Sequence, residues 1–267
     1  EEAEYWVKVP SVSGTVDTEI YIYYTTTVTA DGAEPESVWD ENYVMVQHMK
    51  DNTTSATLDS TGNDNDGTKK AANEPVEITG QIVKGQSFDG NDDKINVGNK
   101  NSLNTINNFT IEAFIKSDDS NYGHIFAKGN DGSNGDYYLM RIDVGHQILC
   151  GWNSGTVEGQ RIGISTNLNN NTWAYVAGVR DVTHTYVYVN DTREDGAENI
   201  GDAGQINPGY DAYIGPLKWN GADAHYYKGL IDELRVSNIV RSASWLKASY
   251  NSGNNTLLAC EDEEVLP

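Results

Sequence analysis

The chain has 267 residues, with 18 Lys and Arg against 40 Asp and Glu, for a formal net charge of −22. A surface this acidic repels phosphate backbones and anionic bilayers, which argues against nucleic acid as a partner and against a membrane surface. No apolar run approaches the ~18 residues needed to cross a bilayer, so membrane insertion is not expected, and two cysteines, Cys150 and Cys260, are too few for a disulfide scaffold.

The length suits one large β domain with an appendage. Val, Ile, Thr and 16 Tyr fit pleated, half-buried surfaces, and 26 Gly supply turns. The opening Glu1-Glu2-Ala3-Glu4 does not read as a signal peptide, so the chain is expected to be mature or cut from something longer. Residues 1–38 read as an N-terminal β appendage and linker. Two strand-like runs, Tyr5–Val9 and Glu19–Tyr24, flank a Pro10–Gly14 turn, and residues 31–38 are the linker. Two strands cannot stand alone as a domain.

The main domain is expected over residues 39–252. Strands are predicted at Tyr43–Met49, Gln86–Val97, Phe109–Lys116, His124–Lys128, Tyr137–Ile142, Gln147–Trp152, Arg161–Ile164, Trp173–Val179, Thr185–Asn190 and Ala212–Gly215. Residues 69–82 look irregular. Alternation is clear where Phe109, Ile111, Ala113 and Ile115 oppose Thr110, Glu112 and Lys116. A closing strand with Ile231-Asp-Glu-Leu-Arg235 precedes a helix near Ala243–Tyr250, for which Ser242 is the expected N-cap. Residues 253–267 read as an acidic tail. Many short strands and one helix give an all-β, antiparallel two-sheet sandwich and exclude a βαβ fold. Cys150 and Cys260 either pair or remain separate thiols.

Several motifs occur in one order: Asp59-Ser-Thr-Gly-Asn-Asp-Asn-Asp-Gly67, Phe88-Asp-Gly-Asn-Asp-Asp93, Phe109-Thr-Ile-Glu-Ala-Phe114, Asn171–Asp181, Val187–Asp191 and the Ile231–Arg235 strand. Together they resemble the laminin-G-like, concanavalin A-like jelly rolls. The segment around Trp6-Val-Lys-Val-Pro10 and Ile20-Tyr-Ile-Tyr-Tyr24 resembles the tail of an uncharacterised β module that often precedes them. This resemblance implies a functionally broad family: glycan binding, adhesion, enzyme appendage, virion or filament surface.

Calcium takes six to eight oxygen ligands, and the 59–67 loop is rich in them, though without EF-hand spacing. The resemblance implies a structural Ca²⁺ between this loop and the closing strand, held by Asp59, Asn65 and Asp232. Asp232 also sits in a half-buried strand, where a carboxylate needs a cation or donors; a salt bridge to Arg235 would serve equally. The acidic loops Asp89–Asp93 and Asn130–Asp136 read first as turns. For a sugar, the candidate residues are Trp219 and Asn220 in the polar loop Lys218–His225, with Trp152 and Tyr226; Tyr122 and Tyr227 are further aromatics. Trp39, Trp173 and Trp245 read as core. Catalysis is not expected: Glu112 is isolated, and Asp232 and Glu233 are adjacent and should face opposite ways.

The expected function is a non-catalytic extracellular recognition or adhesion module that binds a glycan or cell-surface polysaccharide and carries a structural calcium. The alternative is a structural surface or assembly protein, an adhesin, filament or virion-surface subunit that contacts copies of itself or neighbouring modules. Either role places it outside the cell, on a cell or virion surface.

Overall fold

The computed structural model describes residues 5–11, 13, 15–16, 18–21, 33–104, 107–117, 122–131, 135–155, 158–163, 165–194, 198–199 and 209–257. A short helix, α1 (Pro35–Val38), precedes β1 (Tyr43–Thr53), β2 (Ala56–Asp59), β3 (Gly67–Lys69), β4 (Val76–Thr79), β5 (Lys84–Asp89) and β6 (Ile95–Gly98). Next come β7 (Phe109–Lys116), β8 (Gly123–Asp131), β9 (Asp136–Ile142), β10 (Ile148–Ser154), β11 (Glu158–Ile162), β12 (Ala174–Arg180) and β13 (Thr185–Val189). The chain continues through β14 (Thr192–Arg193), β15 (Glu198–Asn199), β16 (Ala212–Gly215), β17 (Leu217–Trp219), β18 (Ala222–Ala224), β19 (Lys228–Ser237) and α2 (Ala243–Gly253).

These strands form an antiparallel jelly-roll sandwich. In one layer β19 lies between β7 and the pair β1 and β5, and β7 continues to β12, β13 and β14. In the other the order runs β3, β6, β16, β8, β9, β10, β11, β15. The β2–β3 pairing carries the chain from one layer to the other. Between the layers, Met45, Phe109, Ile111, Ile115, Phe126, Tyr138, Met140, Val176, Ile214 and Leu234 form the core. Each fully buried aliphatic or aromatic side chain there contributes about 1.5–3 kcal/mol by leaving water.

The first layer is buried on both faces. Its outer side holds Phe114, Tyr175, Ala177 and Val179, and α2 lies on them through Leu246. Ser242 caps that helix by accepting a hydrogen bond from the Trp245 N–H, as expected. At the other end Gly253 packs so close to Phe114 that a Cβ would collide with the ring. Gly253→Ala should therefore cost about 1–3 kcal/mol in urea unfolding, the range for overpacked sites.

Several expectations need correcting. Tyr5–Val9 makes no strand, and residues 18–21 are also outside any strand. Instead Trp6 packs on His48 with ring centroids 4.0 Å apart. The rest of the second expected strand lies outside the described residues, as do residue 260 and most of the acidic tail. The linker contains α1. Within the segment read as irregular, β4 pairs with β5. The run Gln86–Val97 is two strands, broken at the Asp-Gly turn where Gly90 has φ 81°. Cys150 is buried and forms no disulfide among the described residues; the other cysteine of the expected alternatives, at residue 260, lies outside them.

Candidate functional site

The second layer has an outer face that no helix among the described residues covers. Along β9, Tyr138, Met140 and Ile142 enter the core, while Tyr137, Leu139 and Arg141 face outward. Leu149 and Gly151 of β10 share that outer side. A cavity of about 230 Å³ opens there, lined further by Tyr122, Asp131 and Trp219.

Trp219 is held over this face by the β17–β18 hairpin. Its two-residue turn, Asn220–Gly221, has φ of 49° and 84°, the left-handed values of the turn that suits twisted hairpins. The hairpin runs beside β8 in parallel, with Lys218 opposite Asn130 and Trp219 opposite Asp131. The Gly221 N–H donates to Asn130 Oδ1 at 2.9 Å, and the Asn220 N–H donates to the Asp131 carbonyl at 3.2 Å. Beneath it, Lys94 and Lys218 both pair with Asp223. Trp219 is nevertheless 45% exposed, so its ring is fixed in place yet open to solvent.

Around it sits a polar and aromatic ring. The Trp219 edge meets His225 at 5.6 Å between centroids. Tyr122 lies 4.4 Å from the same imidazole, with its hydroxyl 2.9 Å from Nε2. The Arg141 guanidinium lies 5.1 Å from the Tyr122 ring centroid. Arg141 Nη2 donates to Asp143 Oδ1 at 3.2 Å. Its Nε is buried and meets no acceptor among the described residues. Burial, with the Arg141 charge beside it, holds His124 down to about 3. The same causes in the same order lower His225. Both imidazoles are therefore neutral at physiological pH, and Arg141 carries the cavity's positive charge.

Of the expected ligand-binding residues, Trp219 lines the cavity and Asn220 forms the turn that presents it. Tyr226 is half-buried next to the hairpin and does not line it. Trp152 is a correction: it is 2% exposed, its Nε1–H donates to Thr185 Oγ1, and the Arg180 guanidinium covers its ring at 3.9 Å. An indole enclosed on these sides has no face for a sugar. Tyr137 and Arg141 were absent from the expected set because a strand reading assigns them to structure. The signal available was an arginine on the same alternate positions as Tyr137 and Leu139, where a purely structural face would end in an aliphatic residue.

The expected calcium ligands are not gathered in one hydrogen-bonded group. Asp59 accepts from the N–H groups of Val46, Thr61 and Asn65 and from the Thr61 hydroxyl. Asn65 is buried and donates to the Val44 carbonyl and Ser102 Oγ. Asp232 is bonded elsewhere, its Oδ2 accepting from Ile82 N–H at 2.7 Å, while Oδ1 is buried without a hydrogen-bond partner among the described residues. Burial first, and the Glu233 charge second, raise the Asp232 carboxyl. Asp89, Asp92 and Asp93 bring carboxylate oxygens together at the surface, with Lys70 already paired to Asp92.

A second carboxylate group lies on the opposite, covered face. A β-bulge between Asp232 and Arg235, with Glu233 at φ 48°, puts both acids on this covered face, against the expectation that neighbours face opposite ways. Glu233 meets Arg235 Nη2 and His48 Nδ1, each at 2.6 Å, and accepts from Trp6 Nε1–H at 3.3 Å. Burial would push its carboxyl up, but His48 and Arg235 together hold it low. Glu112 accepts from the hydroxyls of Tyr43 and Tyr175. Trp39 lies over Arg235, and Trp245, though 42% exposed rather than core, donates to the Tyr43 hydroxyl.

The model of the family described as the concanavalin A-like lectin/glucanases superfamily matches residues 89–247. No curated protein matches the chain. Among solved structures, the binding domain of Paraclostridial mosquitocidal protein 1 is similar at TM-score 0.61 and 14% identity, over 79% of this chain and 52% of that one. Domain 4 of AbnA, a GH43 extracellular arabinanase from Geobacillus stearothermophilus in complex with arabinotriose, gives 0.58 at 18% identity, over 77% of this chain and 97% of that one. The CBM40 of the Ruminococcus gnavus IT-sialidase, bound to α2,3-sialyllactose, gives 0.53 at 15% identity, over 62% and 95%. At these identities the likeness is one of fold. The first of them is a longer molecule, of which this chain spans about half.

Proposed function

We propose that this chain, which belongs to the concanavalin A-like lectin/glucanases superfamily, is a non-catalytic carbohydrate-binding module. The observation that carries the reading is the cavity on the uncovered face, with Trp219 held half-exposed above Tyr122, Tyr137 and Arg141. A sugar offers C–H faces to such rings and hydroxyls to the arginine and aspartate, the mix of apolar wall and few placed polar groups that small-ligand sites use. Solved neighbours of the same fold hold arabinotriose and sialyllactose, which supports a glycan as the partner.

Hydrolysis finds no support. A glycosidase needs two accessible carboxylates across the scissile bond, one of them a proton donor. Here Glu112 and Glu233 are buried, Glu233 paired with Arg235 beneath Trp39 and Trp6 and Glu112 accepting hydrogen bonds from the hydroxyls of Tyr43 and Tyr175. We place the module outside the cell, where its acidic surface and glycan site would work; no helix among the described residues is long and apolar enough to cross a membrane.

Trp219→Ala should leave thermal unfolding nearly unchanged and weaken binding to the glycan found by array screening by about 2 kcal/mol, roughly 30-fold in Kd, as for other aromatic anchors. Unchanged binding by titration calorimetry would remove this face from consideration. A blank array would remove the glycan reading.

A structural calcium is also proposed, and Asp232 is the residue that fits it. Its buried Oδ1 has no hydrogen-bond donor among the described residues, whereas the Asp59 carboxylate is already surrounded by N–H and O–H groups.

A further inference from the structure

We propose that Asn130 is a positioning residue for sugar binding: its side-chain oxygen pins the turn of the β17–β18 hairpin and so sets where the Trp219 ring meets the sugar. The inference rests on the glycan reading above and deepens it.

The hairpin needs such a pin. It runs beside β8 through two residue pairs, Lys218 with Asn130 and Trp219 with Asp131. A two-stranded ribbon by itself is marginally stable in water. The body of the hairpin is gripped by Asp223 of β18, which pairs with Lys218 and with Lys94, the residue before β6. Both ammonium groups lie over the Tyr213 ring of β16, at 5.3 and 5.8 Å from its centroid. Trp219 lies beyond this buttress, as the last residue of β17 before the turn. Its ring is 45% exposed, so packing holds it only in part and the backbone beside it matters correspondingly more.

At the turn, the Asn220 N–H donates to the Asp131 carbonyl and the Gly221 N–H donates to Asn130 Oδ1 at 2.9 Å. Among the described residues, Asn130 supplies the only side-chain hydrogen bond to the turn. No other described group comes within 4 Å of the place a Gly221 Cβ would take, so the turn stands clear of the protein on that side.

A bend in β8 brings Asn130 to this place. Up to Gly129 the strand pairs with β9, Gly129 standing opposite Tyr137, and from Asn130 its partner is β17. Gly129 has φ 117°, and a Cβ there would collide with the Asp136 carbonyl and the Tyr137 backbone. Glycine alone suits that conformation. The bend sets Asn130 beside the turn and leaves Tyr137 in the cavity wall. Asn130 itself is not among the residues lining the cavity, so it acts on a sugar through Trp219. A ring held in place beforehand avoids the cost of ordering a loose hairpin when the sugar binds.

The test is a double-mutant cycle on the full chain. A glycan array that includes arabinotriose, cellotriose, lactose and α2,3-sialyllactose supplies the probe, and the oligosaccharide bound most tightly is titrated by calorimetry. Asn130→Ala should weaken its binding by about fivefold to tenfold, the cost of ordering one loosened segment. The melting temperature should fall by no more than about 4 °C, as for one lost hydrogen bond in a chain of this size. Asn130→Asp keeps an acceptor oxygen in the same place and should restore binding to within about twofold of the unsubstituted chain. In a Trp219→Ala background, Asn130→Ala should cost less than about twofold more, because nothing is left to position. Amide hydrogen exchange at Gly221 reads the pin without any sugar: it should be slow in the unsubstituted chain and in Asn130→Asp, and fast in Asn130→Ala. Unchanged exchange, or faster exchange with unchanged affinity, would overturn the positioning role and leave the glycan reading standing. An equal loss of affinity in both backgrounds would also overturn it, since Asn130 would then act otherwise than through Trp219. A blank array would bring down both.

Discussion

Replacing Arg235 with alanine should lower the unfolding free energy by about 3–5 kcal/mol, the usual result of removing one partner from a buried ion pair. Arg235 lies under the Trp39 ring at 5.0 Å, donates to Glu233 at 2.6 Å and approaches Glu112 at 4.0 Å. Burial works against its charge, but Glu233, Glu112 and Tyr43 hold the guanidinium firmly protonated. Without it, Glu233 keeps only His48 and Trp6, and Glu112 keeps the hydroxyls of Tyr43 and Tyr175. Two carboxylates would then be buried beside one another with no fixed cation between them. For a chain of this size the melting temperature should fall by roughly 6–20 °C, taking about 2–4 °C per kcal/mol. The double change Arg235→Met with Glu233→Gln should recover part of the loss, because it removes the Arg235 and Glu233 charges and keeps the volume, leaving Glu112 to the hydroxyls of Tyr43 and Tyr175. Chemical denaturation of the unsubstituted chain, of Arg235→Ala and of the double variant decides the matter. If Arg235→Ala alone costs less than about 1 kcal/mol, the pair is behaving as a solvated surface bridge and the covered-face cluster is not a buried one.

That cluster also shows where sequence stopped being informative. The alternation in Phe109–Lys116 located β7 to the residue, and it assigned Glu112 to the face opposite the core. It could not say that α2 and Trp39 would bury that face too, so a residue that reads as solvent-facing is 1% exposed. Period-two patterns tell which side a residue takes, not what later packs on that side. The same limit explains Trp152 and Trp219. Both sit in polar surroundings at strand ends, but Trp152 points between the layers while Trp219 is carried out on the Asn220–Gly221 turn. The Asn-Gly pair was itself a readable hairpin signal inside a stretch taken as a loop. Tyr122, Arg141 and Asp131 come from the segment before β8, from β9 and from the end of β8, and nothing in their spacing announces that they meet. The motifs of the closing strand, by contrast, were strong for fold because β19 contacts β1, β5 and β7 at once, so its residues are constrained from both edges.

Asp232 should make the protein less stable as pH rises, and calcium should cancel that effect. Its carboxyl is raised to about 8, by burial first and by Glu233 second, from an unfolded value of about 3.9. Between those values the folded state binds the proton that the unfolded state has released, so stability falls with increasing pH by up to about 1.4 kcal/mol per unit. His124, held down to about 3, has the opposite slope: its contribution is lost as pH falls below about 6.5. Glu233, held low, likewise acts only on the acid side. Between pH 6.5 and 8 Asp232 sets the slope, Lys128, which burial lowers to about 8, opposing it only at the upper end, and there the chain in chelator should lose stability as pH rises. Asp232→Asn keeps the acceptor for Ile82 N–H and carries no charge, so it should flatten the slope and be the more stable protein at pH 8 in chelator. A cation competes with the proton for the same oxygen. In millimolar calcium the unsubstituted chain should then hold its stability across the window, and Asp232→Asn should gain nothing from the metal. Identical curves in calcium and in chelator, both falling with pH, would leave a buried acid that titrates and would dispose of the calcium. Curves that do not fall at all would mean that Oδ1 has a donor and that the carboxylate is an ordinary paired one.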